Sequence, residues 1–257
     1  MDSAKSVDVL TSYKTVDETA VDKLLAHEIV QSKRKIVVLD DDPTGTQTVH
    51  GISVFTNWKK STIEHAFAED NALFYLLTNS RSFTKKETVK AHREIATVVD
   101  EVSKEVGKDY IFVSRSDSTL RGHYPIETEV LCKEWESNNG KKIDGEIICP
   151  FFKEGGRFTI DDVHYVQLGN ALVPASETEF AQDKTFGHSS SNLKEYVEEK
   201  TCNAYKSTDV ISISLSDLRN LAFDSIEEQL LEVENFNKVI VNAIDYIDLK
   251  VFLCGTL

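Results

Sequence analysis

The chain has 257 residues, of which 40% are hydrophobic and 28% charged, and its net charge is −14 at pH 7. This composition is typical of a globular protein that buries a sizeable core, and the negative charge argues against nucleic acid or an anionic membrane surface as the main partner. The four cysteines are widely spaced, which favours neither a zinc site nor a disulfide framework. Because there is no signal-peptide core and no apolar run near the ~20 residues of a membrane span, we expect a cytoplasmic protein.

The first predicted element is an amphipathic helix within residues 1–34. Residues 15–18, Thr-Val-Asp-Glu, have the spacing of a capping box. The apolar residues that follow share one helical face and are Val21, Leu24, Leu25 and Ile29. We therefore predict an N-terminal extension over residues 1–34 and one α/β domain over residues 35–257.

Strands alternate with helices over the rest of the chain. Apolar runs predict strands at residues 36–39, 52–55, 73–77, 110–113, 146–149, 210–214 and 238–242. Residues 163–174 instead predict a β-hairpin that turns at Gly169-Asn170. The pattern indicates a three-layer α/β fold with a mostly parallel sheet, helices on both faces and the β-hairpin as an insertion.

Four polar clusters directly follow predicted strands, at residues 40–48, 78–82, 114–122 and 150–159. The carboxyl ends of parallel strands lie along one edge of a sheet, which is where open α/β sheets bind their ligands. We therefore expect the four clusters to converge on one cleft.

The residue types in these clusters favour a small hydroxylated anion as the ligand. Arginine forks suit a carboxylate or a phosphate, whereas aspartates accept hydrogen bonds from hydroxyl groups. The candidate arginines are Arg81, Arg115, Arg121 and Arg157. For each of them the alternative is an ion pair with a neighbouring aspartate. The candidates for binding hydroxyl groups are Asp41, Asp42, Thr44, Asn79, Ser80, Ser116, Asp117 and Ser118.

Three motifs, in order, resemble the N-terminal domain of the four-carbon acid sugar kinases. They lie at residues 41–48, 116–122 and 150–157, and the similarity continues through residues 177–183. The resemblance implies an ATP-dependent kinase that phosphorylates a hydroxyl group of threonate, erythronate or a 3-oxo-tetronate. In such proteins the N-terminal domain binds the sugar acid, and a C-terminal domain brings the nucleotide with Mg²⁺.

The resemblance also implies roles for particular residues. Arg121, assisted by Arg81 or Arg157, would hold the carboxylate of the sugar acid. Asp41 and Asp42 would orient its hydroxyl groups, and Asp42 is the candidate acceptor of the proton from the attacking hydroxyl. The expected substrate-binding residues are Asp41, Asp42, Thr44, Gly45, Asn79, Ser80, Arg81, Ser116, Asp117, Ser118, Arg121, Gly122 and Arg157.

The nucleotide is expected to bind elsewhere than on this chain. The sequence has neither a phosphate-binding loop nor a dinucleotide-binding glycine motif, and it stops soon after a last predicted helix at residues 245–252. We therefore expect the sugar-acid half of a kinase, incomplete for catalysis alone, with a nucleotide-binding domain supplied in cis or in trans. A homodimer is a further expectation.

Two alternative functions stay open at this point. Asp40-x-Asp42-x-Thr44 also matches the first motif of the haloacid-dehalogenase-like phosphatases, in which Asp40 would be the nucleophile and Asp42 the acid/base, with magnesium between them. Leu76-Leu77-Thr78 is similar to their second motif, but Asp161-Asp162 lies in a hairpin-like segment rather than after the apolar strand that their metal-binding acids need. The other alternative is a non-catalytic sugar-acid sensor or binding module.

Overall fold

The computed structural model describes residues 3–44 and 49–255. The strands are β1 (Lys5–Ser6), β2 (Lys35–Asp40), β3 (Val54–Phe55), β4 (Leu73–Leu77), β5 (Tyr110–Arg115), β6 (Gly145–Ile148), β7 (Arg157–Ile160), β8 (Val163–Leu168), β9 (Ala171–Pro174), β10 (Ile211–Ile213) and β11 (Asn237–Val241). The α-helices are α1 (Glu18–Ser32), α2 (Lys60–Ala68), α3 (Lys85–Val106), α4 (Ile126–Asn139), α5 (Leu193–Lys200), α6 (Leu215–Arg219), α7 (Phe223–Leu231) and α8 (Tyr246–Cys254).

The chain divides into two compact units. Unit 1 comprises Met1–Ser32, Ser118–Arg121 and Ile143–Leu257, and unit 2 comprises Lys33–Asp117 and Gly122–Lys142. Unit 2 thus begins at Lys33, close to the predicted boundary at residue 34. The predicted single domain over residues 35–257 stays a prediction.

Unit 2 is built on a four-stranded parallel sheet with the strand order β3-β4-β2-β5. The central strands β2 and β4 consist of apolar runs because their side chains enter the core, where Val37, Leu39, Phe74 and Leu76 pack with residues of α2 and α3. The register pairs Asp40 with a residue at the end of β4 and with one at the end of β5. The carboxyl ends of β2, β4 and β5 therefore lie side by side.

Unit 1 contains a three-stranded parallel sheet of order β10-β11-β6 and a four-stranded antiparallel sheet of order β1-β9-β8-β7. Val239 and Val241 of β11 pack with residues of α1, α6, α7 and α8, and α5 also contacts β11. The predicted β-hairpin is present as β8 and β9, which pair up to Leu168 and Ala171 on either side of the Gly169-Asn170 turn.

The predicted α/β fold class is confirmed, and the described elements are consistent with a three-layer α/β fold with mostly parallel strands. The parallel strands divide between two sheets. The polar cluster at residues 150–159 follows β6, which pairs with β11 rather than with β5. The clusters after β2, β4 and β5 therefore follow strands of one sheet, whereas the fourth cluster follows a strand of another sheet.

Helix α1 forms as predicted, but its start and its exposure differ from the prediction. The carboxylate of Asp17 accepts a hydrogen bond from the backbone N–H of Ala20 at 3.2 Å, so Asp17 rather than Thr15 caps the first turn. Val21 is buried, whereas Leu24 and Ile29 are 39% and 54% exposed. Among the described residues, no helix is long and apolar enough to cross a bilayer.

Candidate active site at the strand ends of unit 2

The first acid of the run that ends β2, Asp40, is fully buried. Burial raises the pKa of Asp40 to about 6, and the guanidinium of Arg115, whose Nη1 lies 3.4 Å from Asp40 Oδ1, opposes that rise. The other carboxylate oxygen, Oδ2, accepts no hydrogen bond from the residues that the structure describes. Asp40 is therefore a weak acid that is closed off from solvent.

The second acid, Asp41, is buried and held in a two-pronged ion pair. Arg81 donates through Nε to Oδ2 at 3.0 Å and through Nη2 to Oδ1 at 2.7 Å. Ser116 Oγ donates to Oδ2 at 3.0 Å. Burial raises the pKa of Asp41, and the hydrogen bonds from Arg81 and Ser116 oppose the rise. Asp41, which follows β2, is thus hydrogen-bonded to Arg81 after β4 and to Ser116 after β5.

The third acid, Asp42, is ionised and within reach of solvent. Its Oδ1 accepts hydrogen bonds from the backbone N–H of Thr44 at 2.8 Å and from Thr44 Oγ1 at 2.5 Å, and these bonds lower the pKa of Asp42. Its Oδ2 lies 3.4 Å from Arg81 Nη1, and the side chain is 27% exposed. Asp42 is therefore the acid of the three that a ligand can most readily use as a hydrogen-bond acceptor.

Gly122 supports this arrangement through its lack of a side chain. Its φ of +153° is unusual for other residues, and a Cβ at this position would lie 2.1 Å from Ser116 Oγ and 3.7 Å from Asp41 Oδ2. Because Gly122 has no Cβ, Ser116 Oγ can occupy the position from which it donates to Asp41. Asp117 is half-buried nearby, and its charge contributes to the raised pKa of Asp41.

The loop after β4 places its predicted residues in different surroundings. Asn79 is exposed and has a left-handed backbone with φ of +55°. Ser80 is fully buried, and its Oγ donates to Glu127 Oε1 at 3.0 Å. Glu127 was not predicted from the sequence, because an acid in the first turn of a helix is commonly a solvent-exposed residue that favours the helix dipole. Here it is only 2% exposed.

Three predicted residues belong to unit 1. The guanidinium carbons of Arg121 and Arg157 lie 5.0 and 5.5 Å from the centroid of the Phe180 ring. The backbone carbonyl of Ser118 accepts a hydrogen bond from His164 Nε2 at 2.7 Å. Phe180 lies within the last motif that the sequence singled out, although no role was predicted for it. Gly45 is outside the described residues.

The described residues do not fit the implied Mg²⁺. They contain no group of three or more His, Cys, Asp or Glu side chains that could hold a metal ion. Asp40 is enclosed, and Asp41 is already held by Arg81 and Ser116. We therefore assign no metal ligand among these residues.

Three solved structures have a similar fold. A Salmonella typhimurium LT2 protein matches with a TM-score of 0.60 and 15% identity, over 87% of this chain and 54% of that one. A Bordetella bronchiseptica protein with a domain of unknown function (DUF1537), a domain-swapped dimer with bound citrate, matches with a TM-score of 0.58 and 18% identity, over 84% and 49%. A Haemophilus influenzae DUF1537 protein matches with a TM-score of 0.58 and 14% identity, over 86% and 55%.

These identities show a shared fold, and the chain spans about half the length of the three structures. No match was found among the curated proteins. The family model described as "Sugar-binding N-terminal domain" matches residues 36–256, which is most of the sequence. The chain therefore belongs to the family of sugar-binding N-terminal domains.

Proposed function

We propose that this chain is the sugar-acid-binding part of an ATP-dependent kinase that phosphorylates a four-carbon acid sugar of the threonate, erythronate or 3-oxo-tetronate type. The observation that carries the proposal is the edge of unit 2, where an ionised, partly exposed Asp42 lies beside two arginines. Arg115 has a side chain that is 29% exposed. A carboxylate acceptor next to a guanidinium donor suits a ligand that carries both hydroxyl groups and a carboxylate.

The proposed roles follow from the surroundings of each side chain. Asp42 accepts a hydrogen bond from a substrate hydroxyl and receives its proton when that hydroxyl attacks. Thr44 and Asn79 are exposed, so they can contact further hydroxyl groups. Asp41 acts indirectly, by holding Arg81 in place. In unit 1, Arg121 and Arg157 stay the predicted ligands of a carboxylate.

The phosphoryl donor is proposed to bind outside the described residues. We assign ATP and Mg²⁺ to a C-terminal nucleotide-binding domain, supplied in cis or in trans, because the sequence has no phosphate-binding loop and the described residues contain no group of three or more metal-binding side chains. When bound, Mg²⁺-ATP supplies the phosphoryl group. The contribution of this chain is to orient the sugar acid and to accept a proton at Asp42. A homodimer stays a prediction, which light scattering of the purified chain tests.

Isothermal titration with D-threonate and D-erythronate tests the binding function. We expect Asp42→Asn and Arg121→Ala each to weaken binding by roughly tenfold or more, because each substitution removes a charge-assisted hydrogen bond. Asp70→Asn is the matched control for Asp42→Asn, since Asp70 is an exposed carboxylate in unit 2, to which Asp42 also belongs. Absence of heat with every tetronate would refute the proposal.

Turnover separates the proposal from its alternatives. With a nucleotide-binding domain added, the chain is expected to release ADP in the presence of a tetronate and MgATP. Binding without turnover under those conditions would favour the sensor. The phosphatase alternative requires an accessible nucleophile at Asp40, which is fully buried. Magnesium-dependent release of phosphate from p-nitrophenyl phosphate, lost in Asp40→Asn, would nevertheless support it.

A further inference from the structure

A buried carboxyl group lies behind the strand-end loops of unit 2. Glu127, in the first turn of α4, is 2% exposed. Its Oε1 accepts a hydrogen bond from Ser80 Oγ at 3.0 Å, and its Oε2 accepts one from Ser114 Oγ at 3.5 Å. Ser80 is the neighbour of Arg81, and Ser114 lies on the strand that leads to Ser116. One carboxyl group therefore contacts both segments that carry the partners of Asp41.

We propose that Glu127 is a positioning residue for the sugar-acid site, which holds the loops after β4 and β5 in place through Ser80 and Ser114. Its effect on ligand binding rests on the proposed function, whereas its effect on the two loops does not. Thr78 Oγ1 lies 3.1 Å from Ser80 Oγ and 2.9 Å from the carbonyl oxygen of Asp40, and its one proton can be donated to either. The contacts of Ser80 thus reach a residue that also lies beside the end of β2.

The titratable and charged groups that act on this cluster are Asp41, Arg81, His92 and His123. Burial, and then the charge of Asp41, raises the pKa of Glu127 to about 7, while the hydrogen bonds from the two serines and the charge of Arg81 oppose that rise. The pKa of Glu127 therefore lies where a modest change of pH alters its protonation.

His92 does not neutralise this carboxylate. Its Nδ1 donates to the carbonyl of Thr88 at 2.9 Å, and its Nε2 lies 3.9 Å from Glu127 Oε1, beyond hydrogen-bond distance. Burial, with a smaller effect of the charge of His123, lowers the pKa of His92, so the ring is neutral at pH 7. Protonation of Glu127 turns one acceptor oxygen into a donor. One of the two serines must then accept a hydrogen bond instead of donating one, so Ser80 and Ser114 both donate to Glu127 only when it is ionised.

Hydrogen exchange of the full chain, followed by mass spectrometry without ligand, tests the positioning role directly. We expect Glu127→Ala to speed exchange in segments 78–83 and 114–117 by roughly tenfold at both pH 6 and pH 8. Glu127→Gln resembles the protonated acid, so it should match the wild type within about twofold at pH 6 and exchange several-fold faster at pH 8. Glu129→Ala is the control, because Glu129 is a more exposed glutamate on the same helix.

Titration with D-threonate and D-erythronate completes the test. We expect Glu127→Ala to weaken binding roughly tenfold and Glu127→Gln to weaken it at pH 8 but not at pH 6. Three results for Glu127→Ala would each overturn the positioning role. They are wild-type exchange in both segments, exchange that increases equally throughout unit 2, and tetronate binding as tight as that of a wild-type chain that binds. A wild-type chain that binds no tetronate, while the two loops loosen in Glu127→Ala, would refute the proposed function and leave the anchoring of the loops supported.

Discussion

Asp40→Asn tests how the fold accommodates the first of three adjacent acids. The side chain is fully buried, and burial raises its pKa from 3.8 to about 6. A carboxyl group with a raised pKa binds its proton more tightly in the folded chain than in the unfolded chain. The folded chain therefore loses stability as the pH rises from the unfolded pKa through the folded one. Asparagine does not titrate, so the variant escapes this loss.

The magnitude follows from the two pKa values. Each pH unit between them contributes about 1.4 kcal/mol, which sets a limit of about 3 kcal/mol. We expect the free energy of unfolding of Asp40→Asn, relative to the wild type, to rise by about 2 kcal/mol between about pH 4 and about pH 7.5. Any loss that is independent of pH, such as a weaker contact with Arg115, cancels from this difference.

Urea unfolding followed by tryptophan fluorescence measures this change in unit 2, which contains Asp40. The two tryptophans, Trp58 and Trp135, both belong to unit 2. Asp70→Asn, at an exposed position of the same unit, is the control for loss of a negative charge. A difference between Asp40→Asn and the wild type that stays constant with pH, or that falls as the pH rises, would refute the reasoning.

Two further substitutions perturb the same loops and are measured by the same urea titration. Gly122→Ala should lower the free energy of unfolding by about 2–4 kcal/mol, because the new Cβ would lie 2.1 Å from Ser116 Oγ. Gly51→Ala, with φ of +69° and open space around it, should lower it by only about 1–2 kcal/mol, and equal losses at the two glycines would contradict the steric argument. Arg81→Ala removes the two-pronged partner of a buried Asp41 and should cost about 3–5 kcal/mol. Adding Asp41→Asn should recover part of that loss, so a second loss that simply adds to the first would show that the pair is not coupled.

The features that could be predicted from the sequence are those that depend on local patterns. β2 and β4 are apolar runs because they occupy the centre of a sheet and enter the core of unit 2. The hairpin of β8 and β9 was recognisable from the Gly169-Asn170 turn between alternating residues. The positions of Asp41 and Arg81 at neighbouring strand ends follow from these elements once β2 and β4 are taken as parallel.

The features that could not be predicted depend on contacts between distant parts of the chain. No local signal distinguishes a β6 that pairs with β5 from a β6 that pairs with β11, so the division into two parallel sheets was missed. Glu127 has the sequence context of an ordinary acid near a helix start. Its burial results from tertiary packing, because α4 places Glu127 against Ser80 in the loop after β4 and against Ser114 on β5. Tertiary contacts of this kind leave no trace in periodicity.

The three acids at the end of β2 show why a run of like charges can be kept next to a binding site. Burial favours the protonated form of Asp40, the guanidinium of Arg81 balances the charge of Asp41, and two hydrogen bonds from a threonine stabilise the charge of Asp42. The exposed edge is consequently less acidic than its sequence suggests, and it keeps a usable acceptor beside a partly exposed Arg115. A ligand carboxylate would add a second anion beside Arg115, which already lies 3.4 Å from Asp40, whereas a second carboxylate on the ligand would be repelled by Asp42. This balance supports a ligand that carries one carboxylate and several hydroxyl groups.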